Sequence, residues 1–245
     1  MAPESYSQVR PELGTLHFHK ITEMTQLLNE SIVFKPCPLC AGKSLPYHEK
    51  AFYVCSSCGG IFRNPETLLS PEAERIRYEK HNNNPDDAGY RHFVLPLVDA
   101  ITSQVQQDSY GLDFGAGPGP VASVLLNERG YSTACYDPFF CNNQDLLTKK
   151  YDYVFCCEVI EHFYKPSAEF SRLFSLIRQG GSLFCMTHLY TGDIDFSSWY
   201  YKEDETHVFF YREQTIATIT RLFGFSTYGI DGRVIRMDVP SAVRA

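Results

Sequence analysis

Gly111-Leu-Asp-Phe-Gly-Ala-Gly-Pro-Gly-Pro120 is an apolar run that breaks into three glycines at alternate positions, Gly115, Gly117 and Gly119. Residues 109–114 read as a β-strand and residues 121–129 as a helix, so the glycines occupy the bend between them. Glycine lets the backbone turn sharply there and approach a ligand with no Cβ in the way. The spacing is G-x-G-x-G, with Pro120 where a dinucleotide-binding fingerprint wants its third glycine.

Asp113 sits just ahead of the glycines. A carboxylate there repels a pyrophosphate and suits a cationic ligand such as S-adenosylmethionine (SAM), which carries an ammonium and a sulfonium but no phosphate. A second short strand, 132–136, ends in Asp137, placed to accept hydrogen bonds from two ribose hydroxyls. With these residues in view the chain resembles the class I SAM-dependent methyltransferases. The resemblance is carried by Leu-Asp-Phe-Gly-Ala-Gly-Pro-Gly (112–119), Tyr-Asp-Pro (136–138), Asp-Tyr-Val-Phe-Cys-Cys-Glu-Val-Ile-Glu-His (152–162) and Gly-Gly-Ser-Leu-Phe (180–184), and covers roughly residues 75 to 245. It implies that Asp113, Phe114, Gly115, Ala116, Gly117 and Gly119 contact SAM and that Asp137, with Pro138, holds the ribose. It further implies that Glu158 and Val159 face the reaction centre. The same core methylates O, N, C and S atoms, so the motifs specify the cofactor and leave the acceptor open.

The chain has 245 residues, a formal charge of −7 and a pI near 5.6, enough length to bury a core and an acidic balance that disfavours broad nucleic-acid binding. No stretch matches a membrane span or a secretory signal, so a cytoplasmic protein is expected. Its nine cysteines suit metal ligation and reduced thiols better than a disulfide framework. Cys37-Pro-Leu-Cys40 and Cys55-Ser-Ser-Cys58 form two C-x-x-C pairs at turns, with 50–54 and 61–63 reading as strands. Four thiolates complete a closed tetrahedral Zn²⁺ shell, which predicts a zinc ribbon whose ion is structural. Cys135, Cys141, Cys156, Cys157 and Cys185 read as small apolar residues on or beside core strands.

Three regions are expected: a partly helical lead-in over 1–35, with an amphipathic helix at 16–31; the ribbon over 36–66; and a methyltransferase domain over 67–245. Ser70-Pro-Glu-Ala-Glu reads as a helix start, with a capping serine and proline at the first helical position. Strands alternating with helices predict an α/β, Rossmann-like core: a mostly parallel sheet with an antiparallel last strand from a hairpin around Asp231-Gly232. Only residues 138–152 separate Asp137 from the next core strand, too few for the usual excursion, so the third strand is expected to be short or absent. A turn at 179–181 should lead into a strand over 182–186.

Glu158-Val-Ile-Glu-His162 follows a core strand at the carboxyl edge of the sheet, where doubly wound folds bind ligands. If 158–162 takes a helical turn, Glu158, Glu161 and His162 converge at i, i+3 and i+4. Similar runs with a later histidine occur in methyltransferases that modify RNA 3′-terminal ribose or catechol-like ubiquinone precursors, where they hold a divalent cation. That resemblance makes Glu158, Glu161, His162 and His207 a candidate second metal site, with His162 or His207 as general base in a metal-free alternative. His188, Tyr190, Trp199 and Tyr200 are expected in an aromatic wall over the acceptor, and His81, Asn82 and Tyr90 near the methionine end of SAM.

The expected activity is methyl transfer from SAM to an oxygen or nitrogen, with a small, planar acceptor favoured. RNA gripped by the ribbon is the alternative. A non-catalytic zinc-ribbon protein on a SAM-fold scaffold would have no need of the intact glycines, Asp113 and Asp137. A nicotinamide dehydrogenase is disfavoured by Pro120 and Asp113. Oligomeric state is not encoded in any motif.

Overall fold

Two C-x-x-C turns shape the first part of the chain. The strands around them are β1 (Lys35–Pro36), β2 (Lys43–Tyr47), β3 (Phe52–Cys55) and β4 (Ile61–Arg63). The turns are near copies. Cys37 N–H donates to Gly42 C=O and Ala41 N–H to Cys37 C=O, while Cys55 N–H donates to Gly60 C=O and Gly59 N–H to Cys55 C=O. Ala41 and Gly59 take the matching left-handed conformation, at φ 59° and 72°. The computed structural model describes residues 34–80 and 84–242, which form one compact unit. The helix expected over 16–31, and His81 and Asn82, lie outside the described residues.

Next come α1 (Pro71–Tyr78) and α2 (Ala88–Gln104). Ser70 Oγ accepts from Ala73 N–H and Asp87 Oδ1 from Tyr90 N–H, so each helix starts where its cap predicts. The alternating part follows: β5 (Tyr110–Phe114), α3 (Val121–Glu128), β6 (Ser132–Tyr136), β7 (Tyr151–Cys157), α4 (Pro166–Leu176) and β8 (Ile177–Met186). The chain closes with β9 (Phe209–Phe210), α5 (Glu213–Phe223), β10 (Thr227–Asp231) and β11 (Val234–Asp238). Gly224, at φ 88°, ends α5 in the left-handed conformation.

The main sheet runs β10-β11-β8-β7-β5-β6, parallel from β6 to β8, with β11 antiparallel to both neighbours. No third strand follows Asp137: residues there form a single bridge, Asp137 to Cys141, and a short 3-10 turn, Gln144–Thr148. One face of the sheet packs Val94, Leu97 and Ile101 of α2 with Leu125 and Leu126 of α3. The other packs Phe170 and Leu173 of α4 with Ile216 and Ile219 of α5. Covered on both faces, β5 and β7 are almost continuously buried, as parallel strands must be.

Two expectations shift. β8 starts at Ile177, and residues 178–181 loop out between the Tyr151–Ile177 and Tyr153–Ser182 pairings, where Gly180 takes φ 77°. Cys141 is exposed rather than packed in the core, because it lies on the short link that replaces the third strand. The second sheet, β1-β2-β3-β4-β9, is antiparallel and borrows its last strand from the far end of the chain. The ribbon's Cys37, Leu39, Tyr53 and Phe62 join the same buried cluster as α4 and α5. Among the described residues no helix is long and apolar enough to cross a membrane.

Candidate active site

β5 delivers its last residues to a bend in which Gly115 (φ 84°) and Gly117 (φ 63°) are left-handed. A Cβ on Gly115 would lie 2.6 Å from Val159 Cγ1, so the residue must lack a side chain. Tyr136 C=O receives Gly115 N–H at 2.8 Å and Ala116 N–H at 3.1 Å. Asp137 Oδ2 receives Gly117 N–H at 2.9 Å, and its Oδ1 receives Phe139 N–H at 2.8 Å and Phe140 N–H at 3.1 Å. The carboxylate thus fixes the glycine bend against the loop after β6. Asp113, 3 % exposed, accepts a hydrogen bond from Ser123 Oγ at 2.8 Å. Burial pushes its carboxyl up to about 7, against the pull of Ser123.

A cavity of about 850 Å³ opens over the bend. Asp113, Phe114, Gly115, Ala116, Gly117, Gly119, Asp137, Pro138, Glu158 and Val159 all line it. Tyr78, Tyr90, Phe93, Phe139, Phe140 and Tyr164 supply aromatic walls, and His162 and His207 close one side.

The residues after β7 do not take a helical turn from Glu158. Glu158 is left-handed (φ 53°) and only Ile160–His162 form a 3-10 turn. Glu158 therefore swings toward Arg233, whose Nη2 lies 2.6 Å from its Oε2, and drops out of the expected four-residue cluster. Glu161, His162 and His207 do come together, with ligand-capable atoms within 4.8 Å of one another. His162 Nδ1 lies 2.9 Å from Thr206 C=O and His207 Nδ1 2.6 Å from Tyr201 C=O. A carbonyl only accepts, so both rings carry the proton on Nδ1 and present Nε2 as the basic nitrogen.

Burial and the neighbouring His162 push His207 down to about 3, so it is neutral at physiological pH. Burial drives Glu161 up to about 7 against its hydrogen bond from Tyr201. Burial and then Glu161 push Glu158 up to about 8, despite Arg233. The two acids sit on either side of the Tyr201 hydroxyl and cannot readily ionise together.

Against proteins of known family, residues 87–228, more than half the chain, match the model described as a methyltransferase domain. The chain belongs to that family. The fold makes it a class I, SAM-dependent methyltransferase. Among solved structures it is similar to 1,6-didemethyltoxoflavin-N1-methyltransferase from Burkholderia thailandensis, at 13 % identity and a TM-score of 0.52, over 76 % of this chain and 98 % of that one. It is also similar to magnesium protoporphyrin IX methyltransferase from Synechocystis PCC 6803, at 19 % identity and a TM-score of 0.50, over 69 % of this chain and 95 % of that one. No curated protein matches by sequence.

His188, Tyr190, Trp199 and Tyr200 of the methyltransferase do not line the cavity. Trp199, 5 % exposed, is buried with Phe52, Ile61, Phe196 and Phe210, against the second sheet, and Tyr190 packs beside it. Tyr200 is exposed and accepts or donates with His188 Nδ1 at 3.2 Å, while His188 borders a shallow depression with Arg233. Aromatic type marked these residues for contact but not for which neighbour. Sequence reasoning missed Arg233. Arg233 holds Glu158 and stacks over Phe93 at 4.8 Å, yet it lies beyond a hairpin turn with no motif around it.

In the ribbon, Cys37, Cys40, Cys55 and Cys58 cluster with their sulfurs within 4.8 Å. The Cys37–Cys58 and Cys40–Cys55 Sγ separations are 3.7 and 3.5 Å. Tetrahedral bonds of ~2.3 Å to one Zn²⁺ require edges of about 3.8 Å, so the set has the right size. The hydrogen bond between Cys37 and Cys58 draws the Cys37 thiol down and pushes the Cys58 thiol up, as one proton shared by two sulfurs requires.

Proposed function

We propose that the cavity holds SAM along the glycine bend and that its methyl group passes to a hydroxyl oxygen of a small, planar acceptor. The observation that carries this reading is the meeting of Glu161, His162 and His207 beside the cavity that the bend lines. Asp113 faces the ammonium of SAM, Asp137 the ribose hydroxyls, and Phe139 and Phe140 offer an apolar wall to the adenine in place of the missing third strand. A carboxylate has about four acceptor sites, so Asp137 can keep its three amides and still receive a hydroxyl. Tyr78, Tyr90, Phe93 and Tyr164 leave a flat apolar berth for the acceptor, and the volume is that of a small-molecule site.

Methyl transfer is an in-line displacement, so the site's main work is to align oxygen, methyl carbon and sulfur while excluding water. Glu161, His162 and His207 fit a divalent cation: Glu161 Oε2 is buried without a hydrogen-bond partner, and both imidazoles carry the proton on the nitrogen facing a carbonyl. When bound, such an ion lowers the pKa of a hydroxyl. Held down to about 3, neutral His207 is a weak base, so its Nε2 suits a ligand's role better than that of taking the hydroxyl proton. In the ribbon the four thiolates would hold a structural Zn²⁺.

Lys80, Lys165 and Arg172 on the cavity lining favour a second reading, in which the acceptor is an RNA end. A screen of SAM consumption separates the two: phenolic and heteroaromatic hydroxyl compounds against short RNAs, each with EDTA, Mg²⁺ or Mn²⁺. Turnover of a small hydroxyl compound supports the proposal. Turnover confined to RNA overturns the small-molecule reading, and activity indifferent to EDTA removes the divalent ion.

A further inference from the structure

The ribbon packs against the methyltransferase core in several places, and one of them leads to the Glu161, His162 and His207 cluster. β4 pairs with β9, matching Ile61 with Phe210 and Phe62 with Phe209. At the end of that pairing Val208 makes a backbone bond on each side. Its C=O accepts from Arg63 N–H at 2.9 Å, and its N–H donates to Glu161 C=O at 2.8 Å. One residue thus ties the ribbon's last strand to the turn that carries Glu161 and His162.

The Arg63 side chain adds to the tie. Its Nη2 donates to Lys202 C=O at 2.9 Å and Asp204 C=O at 3.1 Å, and its Nε to His207 C=O at 3.3 Å. Its guanidinium stacks over Phe52 of β3 at 4.9 Å, so the fork is held from the ribbon side. The loop it caps, 202–207, contains His207 and also Thr206, whose C=O meets His162 Nδ1. Asp204 tightens that loop by accepting from Thr206 N–H and Oγ1 and by pairing with Arg77. Both imidazoles are therefore aimed by a loop whose carbonyls converge on one arginine of the ribbon.

We propose that Arg63 is a positioning residue: from the ribbon's last strand it fixes the 202–208 segment so that His207 and His162 are held beside Glu161. The ribbon's role is then to set the geometry of the reaction centre. This rests on the reading of Glu161, His162 and His207 as the working cluster. Lysine at this position keeps the charge but not the planar fork that reaches three carbonyls at once.

The test uses the full zinc-loaded chain, ¹⁵N-labelled, and reads the histidine rings in long-range ¹H–¹⁵N spectra, with His207→Gln to assign the signal. In Arg63→Gln the His207 Nδ1–H should exchange with water about tenfold faster, as expected when hydrogen bonds from a charged donor are lost. Arg63→Lys should fall between. An arginine that merely stabilises the ribbon would lower the unfolding temperature and leave both ring signals where they are. Unchanged Nδ1–H exchange in Arg63→Gln, or in Arg63→Lys if the first variant does not fold, overturns the proposal. A Mn²⁺ titration followed by electron paramagnetic resonance runs alongside. Binding about tenfold weaker in the variant supports the positioning role, and equal binding counts against it. No Mn²⁺ binding by the unaltered protein rejects the metal reading, and the ring signals alone then decide the role of Arg63.

Discussion

Asp137 has two tasks that can be separated by substitution. Its carboxylate receives three backbone amides, those of Gly117, Phe139 and Phe140, and it is the acid proposed to hold the ribose. Alanine removes both. The three amides then face a cavity that water can enter, at about 1 kcal/mol each, so the apoprotein should lose ~3 kcal/mol. Loss of the one charged hydrogen bond left for the ribose, at ~1.5–3 kcal/mol, should raise the Kd for SAM by about 10- to 10²-fold. Asparagine keeps Oδ1 for Phe139 and Phe140 but turns an NH₂ toward Gly117 N–H, two donors face to face. It should lose about 1 kcal/mol of stability and bind SAM more weakly than the native protein but better than the alanine variant. Calorimetric titration with SAM, paired with urea unfolding, reads both effects. A folded Asp137→Ala with a Kd within twofold of the native value refutes the ribose role. An asparagine variant as unstable as alanine refutes the tether.

Replacing Cys37 and Cys40 together with serine should lower zinc content from about one ion per chain to near zero, measured by atomic absorption, and should unfold the second sheet including β9; full retention of zinc would show that the four thiols are not one site. Asp113, raised to about 7, holds a proton in the fold that the unfolded chain has lost above its usual range. Its contribution to apoprotein stability is therefore present near pH 4, falls as pH rises, and is gone above about 7, whereas affinity for cationic SAM should rise over pH 6 to 8; an affinity flat across that window, compared with Asp113→Asn, removes the ion pair. Gly115→Ala places a methyl 2.6 Å from Val159 at φ 84° and should lose ~1–3 kcal/mol together with SAM binding; near-native melting and binding would mean that the bend is not tight. Arg233→Gln strips Glu158 of its cation in a partly buried pair, 30 % and 21 % exposed, and should destabilise the fold by about 1 kcal/mol; no change in urea unfolding would show that water already does that work.

What the sequence disclosed and what it hid divide along range in the chain. The glycine bend, the helix cap at Ser70 and the twin cysteine turns are set by neighbours a few residues apart, and each folds as its spacing predicts. The missing third strand was legible from the short distance between Asp137 and β7. Glu158 misled because spacing alone suggests a helical turn, while its backbone is left-handed at φ 53° and its side chain turns to Arg233, distant in sequence. The aromatic residues after β8 misled differently. Their hydrophobicity states that they are covered, but their partners, Phe52 and Ile61, lie in strands formed by a distant segment.

That last error has a consequence for how the molecule works. Residues 190–211, expected to wall off an acceptor, instead form a strut between two sheets: Phe196, Trp199 and Phe210 pack on the ribbon, and Tyr201, Thr206 and His207 reach the cluster. Burying such aromatic rings is worth a few kcal/mol each, far more than the individual hydrogen bonds they support. The strut is therefore held by packing against the ribbon, and the fine placement of two imidazoles is left to weaker polar contacts at its end. Such a division of labour predicts that Trp199→Ala, a large change in a buried cluster, destabilises the fold by ~3–5 kcal/mol and disturbs His207 with it. Arg63→Gln, which removes a charged donor from three carbonyls at the strut's end, should cost less stability than Trp199→Ala yet disturb the His207 and His162 signals more; if both variants shift the ring signals only in proportion to lost stability, packing and aim are not separate.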